Sequence, residues 1–162
     1  MNSVVQTGPK PVFRTFEDLE AYQRAREFRK TMYGVARRLP EFEKFALATQ
    51  IRRAAVSLTN NLAEGHGRHH YLDQLQFVLH ARGSLEELVD DLNVCLDEGY
   101  LSTEQVEELK QRGWRVLNLI NGYGRYLRNR KAKGVPSFTI YRQILNRSAK
   151  TIRFNAFNIL TF

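Results

Sequence analysis

Apolar positions recur every three or four residues through most of the chain, with charged residues between them, which is the spacing of amphipathic helices. From Thr15 to Leu39 one stripe runs through Phe16, Leu19, Tyr22, Ala25, Phe28, Met32, Val35 and Ala36. Thr15 and Asp18 form a candidate capping pair, and Pro40 ends the segment because the residue before a proline avoids the helical region. A second helix is predicted over residues 44–64, with Phe45, Leu47, Ala48, Ile51, Ala54, Ala55, Leu58 and Leu62 on its apolar side. Glu43 sits where a carboxylate favours the positive helix start, and Gly65 and Gly67 read as its stop.

A third helix is predicted over residues 71–98, its stripe formed by Leu72, Leu75, Val78, Leu79, Leu85, Leu88, Val89, Leu92 and Leu96, with Gly99 as the C-terminal stop. The pair Gly83–Ser84 inside it marks close packing or a kink. Ser102 and Gln105 make a capping box for a fourth helix that carries Val106, Leu109, Val116, Leu117, Ile120, Tyr123 and Leu127 and fades near Arg130. Short connections favour antiparallel neighbours. The expected fold is all-α: an antiparallel up-down-up-down four-helix bundle over residues 15–130, with a leader over 1–14 and a basic, partly apolar C-terminal extension over 131–162.

Composition narrows the class. At 162 residues and 18.9 kDa the chain suits one domain. Apolar residues make up 43% and charged residues 26%, and no apolar run is long enough for a membrane span, so no membrane partner is expected. The single cysteine, Cys95, excludes an internal disulfide framework, and the first residues lack the order of a secretion signal. A cytoplasmic location is the expectation.

The net charge of +8 hides a division. Residues 1–108 hold all 17 acids against 13 Lys and Arg, whereas residues 109–162 hold 12 Lys and Arg and no acid. A terminal block of one sign is either a solvated, self-repelling tail or an electrostatic handle for a polyanion. The segment after Lys131 also carries Ile140, Ile144, Phe154, Phe157, Leu160 and Phe162, so it reads either as an arm that packs on another surface or as a tail without structure of its own. The expected nucleic-acid contacts are Arg52, Arg53 and Arg68, then Arg115, Arg125, Arg128 and Arg130, and in the tail Lys131, Lys133, Arg142, Arg147, Lys150 and Arg153. Tyr123 and Tyr126 lie among the arginines that close the fourth helix, a composition suited to stacking on bases while guanidinium groups hold phosphates.

The densest polar cluster is QIRRAAVSLTNNLAEGHGR, residues 50–68. Ser57, Asn60, Asn61 and Glu64 share much of one helix side, and such a stripe must be solvated or satisfied by partners such as Ser84 and Glu87 on the next helix. Gln50, Ser57, Asn61, Glu64, Ser84 and Glu87 are therefore read as a structural polar network that fixes helix register, with a ligand or RNA contact as the alternative. His66, His69 and His70 match no metal-ligand spacing, and no metal or cofactor is expected. No catalytic seat is visible: Cys95 sits among core leucines, no phosphate-cradling glycine loop occurs, and the carboxylates Asp90, Asp91, Asp97 and Glu98 have no histidine partner at helical spacing. The chain is expected not to be an enzyme.

The blocks QIRRA, NLAEG and GSLEEL, in that order within residues 16–127, resemble the four-helix-bundle proteins encoded in intervening sequences of bacterial 23S ribosomal RNA genes. The resemblance implies a protomer that assembles as a ring-shaped homo-oligomer, expected to be a pentamer. It also implies kinship with the accessory variability proteins of diversity-generating retroelements, which bind nucleic acid and a reverse transcriptase. Gln50, Arg52, Arg53, Ser57, Asn61, Glu64, Gly65, Ser84 and Glu87 match its pattern. The function expected is non-catalytic binding of RNA or DNA by a homo-oligomeric bundle, with a protein-interaction scaffold or reverse-transcriptase accessory subunit as the alternative.

Overall fold

The computed structural model describes residues 15–134. A single 3-10 turn, Phe16–Asp18, leads into α1 (Glu20–Arg38); a second, Glu41–Glu43, precedes α2 (Leu47–Gly67); α3 (Tyr71–Asp97) and α4 (Thr103–Ala132) complete the set. No strand occurs among the described residues. The capping pair at Thr15 and Asp18 is present, but it closes the 3-10 turn, and Leu19 caps α1 without a side-chain bond. Ser102 and Gln105 form the reciprocal box that opens α4. Gly99 takes a φ of +69°, the left-handed conformation that ends α3 without the strain a side chain would add.

The antiparallel order can be read from side-chain pairs. Gln50 Nε2 donates to Asp91 Oδ1 at 3.0 Å; seven residues on along α2, Ser57 Oγ accepts from Ser84 Oγ at 2.8 Å, seven residues back along α3. One further turn or two, and Gly65 lies against Phe77, again seven residues back. Between α3 and α4, Gly113 approaches Leu85 and Val89 while Gly124 approaches Leu75 and Val78. Gly113 also faces Phe28, so α4 closes the bundle against α1. Leu58, Leu62, Leu85, Leu88, Leu92, Ile120 and Met32 lie fully inside the shared core. Burying each such side chain contributes roughly 1.5–3 kcal/mol, which is what holds helices of weak individual stability together.

Three sequence expectations need correction. Gly65 does not stop α2, which runs through it and ends at Gly67, the second of the two expected stops. Gly65 is instead the point of closest approach to α3: a Cβ there would stand 2.8 Å from Phe77 Cβ and 3.3 Å from the Gln74 carbonyl. Phe45, Leu72 and Leu79 are not core residues; Phe45 is 86% exposed and precedes α2, while Leu72 and Leu79 lie on the outer side of α3. At Gly83 a Cβ would meet nothing within 4 Å, so no close packing explains that glycine. The segments 1–14 and 135–162 lie outside the described residues, as do Arg142, Arg147, Lys150 and Arg153; α4 itself reaches past the expected boundary to include Lys131.

Candidate nucleic-acid interface

The helix order places the C-terminus of α2, the N-terminus of α3 and the C-terminus of α4 at one end of the bundle. Arg68, just past α2, accepts a bond through its carbonyl from Gln74 Nε2 at 2.6 Å, and its guanidinium pairs with Glu64 and lies 4.7 Å from the centre of the Phe77 ring. Arg130 donates to the Tyr126 hydroxyl at 2.7 Å. Burial works against its charge, but the phenol oxygens of Tyr126 and Tyr71 raise its pKa, so α4 is tied to the first residue of α3. Tyr123 stacks on Tyr126 with 6.4 Å between ring centroids. Burial pushes the Tyr123 hydroxyl well above its ordinary value, with Tyr126 and Tyr71 adding to it.

Around this tyrosine cluster the cations face water. Arg125, Arg128, Lys131 and Lys133 are exposed, and no described carboxylate forms an ion pair with any of them. A row of arginines and lysines there also suits the negative end of the α4 dipole. Beside it, at the turn into α3, a cleft of about 480 Å³ is lined by Glu64, Arg68, His69, His70 and Asp73. Its mixed charge makes it a poor seat for a bare anion. Burial lowers the pKa of His66, against the pull of Asp18. Among the described residues no group of three or more His, Cys, Asp or Glu is arranged to hold a metal.

The expected interface therefore divides. Arg52 and Arg53 lie near the start of α2, about 24 Å from Arg68 at 1.5 Å per residue, and belong to the other half of the molecule. Arg52 is half-buried and donates to the Lys44 carbonyl at 2.9 Å and to Thr49 Oγ1 at 2.8 Å, whereas Arg53 is exposed. Arg115 lies exposed midway along α4.

The expected polar network also divides. Ser57, Asn61 and Ser84 meet: Ser57 Oγ accepts from Ser84 Oγ and from Asn61 Nδ2 at 3.1 Å. Gln50 turns to Asp91, a carboxylate that was not among the expected network residues. Glu64 pairs outward with Arg68, and Glu87 is exposed, so neither belongs to the network. Glu87 acts only at a distance, raising the pKa of Asp91.

Asp91 is 1% exposed, and its Oδ2 has no hydrogen-bond partner among the described residues. Burial pushes its pKa up to about 6, with Glu87 and Asp90 adding to the rise and the Gln50 bond opposing it. One turn on, burial raises the Cys95 thiol to about 11, with Asp91 and Glu43 contributing, so Cys95 is an inert core thiol at neutral pH. Glu43 accepts from the Leu47 amide and from the Tyr100 hydroxyl at 3.0 Å, closing the far end of α2 onto the α3–α4 turn. Nothing in the letters distinguishes Asp91 from its exposed neighbour Asp90; the only signal was its place four residues before Cys95 on the apolar side of the helix.

No helix among the described residues is long and apolar enough to cross a membrane. No curated protein matches the chain. A crystal structure of a protein of unknown function from the S23 ribosomal protein family of Bacteroides thetaiotaomicron superposes with a TM-score of 0.61 over 65% of this chain and 95% of that one. At 19% identity that likeness shows the fold alone. The polar blocks that lock α2 to α3 lie inside residues 17–122, the stretch matched by the family model described as 23S rRNA-intervening sequence protein, and this chain belongs to that family.

Proposed function

We propose that the protein is a non-catalytic nucleic-acid-binding bundle, with RNA as the preferred partner, that acts as a ring-shaped homo-oligomer of five subunits. One observation carries the binding role: the last turns of α4 present Arg125, Arg128, Lys131 and Lys133 to water without a partner carboxylate, and the sequence beyond them adds only positive charge. Such a surface gains free energy from a polyanion by releasing its condensed counterions, without reading sequence. The neighbouring tyrosines supply aromatic faces for unpaired bases.

A second reading is supported by Phe42, Phe45, Leu72 and Leu79, which are large, apolar and mostly exposed. They favour contact with a protein, such as a reverse transcriptase in a diversity-generating retroelement. Light scattering after size exclusion, on nuclease-treated protein with and without a structured RNA at roughly 50 and 500 mM salt, separates the two. A mass near five protomers that rises with RNA at low salt only is the expected result. A mass indifferent to RNA at both salts would leave the protein-contact reading in its place.

A further inference from the structure

Counting charge along the chain conceals where it lies in space. The first 108 residues are net acidic, yet α1 and α2 together carry eight Lys and Arg against three carboxylates, whereas α3 carries one Arg against six. α3 holds six of the 17 acids of that half, and the two helices of the α1–α2 hairpin are left positive.

The geometry concentrates this charge further. Arg29 Nη1 donates to Thr59 Oγ1 at 2.9 Å, which fixes the side of α1 that faces α2. Arg26, Tyr33 and Arg37 stand three, four and eight residues from Arg29 and so share that side. On α2, Arg52 stands seven residues before Thr59 on the matching side, opposite Arg37 in an antiparallel pair. None of Arg26, Arg29, Arg37 and Arg52 forms an ion pair with a described carboxylate. Arg29 and Arg52 are half-buried and held through single nitrogens by neutral acceptors. A guanidinium carries five N–H groups, so each keeps donors for an outside acceptor while its orientation is already set. These four like charges over about 16 Å of helix are only partly offset by Glu27, whose carboxylate is paired with Lys30 and also feels Arg26.

We infer that the α1–α2 groove, through Arg26, Arg29, Arg37 and Arg52 with Tyr33 between them, is a second contact surface for the phosphate backbone of a nucleic acid, separate from the α4 end. The inference rests on the proposed function for the class of partner, but on different residues. A bidentate arginine fork fits two phosphate oxygens, and contacts of this kind position a strand without reading its bases. The surface also lies within the stretch matched to the family, whereas Arg125 and the cations after it lie beyond it.

The test uses the full chain with a fluorescent RNA hairpin, anisotropy measured from roughly 50 to 300 mM salt, and light scattering on the same samples. The double variant Arg26→Glu/Arg37→Glu changes two exposed side chains outside the core, and circular dichroism checks its fold. The expected result is at least about a tenfold loss of affinity at low salt and a salt slope smaller by about two, with the oligomer mass unchanged. Unchanged affinity in this variant, alongside weakened binding by Arg125→Ala/Arg128→Ala, would overturn the inference and leave the α4 reading intact. Loss of affinity here with no effect of the α4 pair would instead retain this surface and remove the other. A fall in oligomer mass would also overturn the inference, because the groove would then be a contact between copies of the chain, its arginines meeting the acidic face of α3.

Discussion

The residues 50–68 and the last turns of α4 are both polar and basic, but they are used in opposite ways. In the first, polar groups are satisfied within the protein: Gln50 by Asp91, and Ser57 by Ser84 and Asn61. In the second, Arg125, Arg128, Lys131 and Lys133 have no described carboxylate partner and face water. A polar group whose bonds close inside the fold sets helix register, since a slip would leave a buried carboxylate such as Asp91 without its donor. Cations whose charge is left open are available to something outside. The contrast separates residues that build the bundle from residues that give it a use.

The contrast is sharpest at Gly65. Replacing it with Ala sets a Cβ against Phe77 Cβ, an atom that cannot swing away, and is expected to cost about 3 kcal/mol in urea unfolding. Tolerance of Ala at that position with no loss would show that α2 and α3 are not held as closely as described. Next comes Asp91. Its folded-state pKa, near 6, lies above the ordinary 3.8, so its protonated form favours folding. That contribution is fully present below about pH 4 and is lost as pH rises through about 6, a change of about 3 kcal/mol. Thermal melts across that range should show this component of the slope in the natural chain and its absence in Asp91→Asn, which should also be the more stable at pH 7.

Ser57→Ala leaves Ser84 and Asn61 without a shared acceptor and should cost about 1 kcal/mol, measurable by the same unfolding curves. Gly113→Ala offers the opposite sign. Its added methyl would meet Phe28 at 3.4 Å and Leu85 and Val89 at 3.7 Å, ordinary contacts, and helix propensity should make it neutral or stabilising by up to about 1 kcal/mol. Smallest of all in stability is Arg125→Ala/Arg128→Ala, expected within about 0.5 kcal/mol because nothing in the fold depends on those charges.

Much of the fold could be read from the letters because its signals are local. The caps at Ser102 and Gly99 and the three- and four-residue apolar spacing depend only on near neighbours. Gly65 misled because a glycine near a helix end has the same letter whether it releases the chain or admits a neighbour, and only the position of Phe77 decides. Leu72 and Leu79 misled because apolar residues wide of the core stripe still keep helical spacing. At the candidate interface, the α4 cluster was legible because its charge is contiguous in sequence. Arg52 was also expected, but its grouping with Arg26, Arg29 and Arg37 was not legible, since the antiparallel turn brings α1 and α2 onto one groove while acids elsewhere in the first 108 residues mask their charge in the count. Asp91 was hidden by its exposed twin Asp90.

The central claim is that the open charge at the end of α4 binds nucleic acid. It is tested most directly by anisotropy titration of a structured RNA with the natural chain and with Arg125→Ala/Arg128→Ala/Lys131→Ala/Lys133→Ala, at matched oligomer mass and over a salt series. The account predicts binding that weakens steeply with salt in the natural chain and a slope smaller by about three to four in the variant, with unfolding curves unchanged. Equal affinity and equal slope in the two proteins, or no binding by the natural chain at low salt, would contradict it.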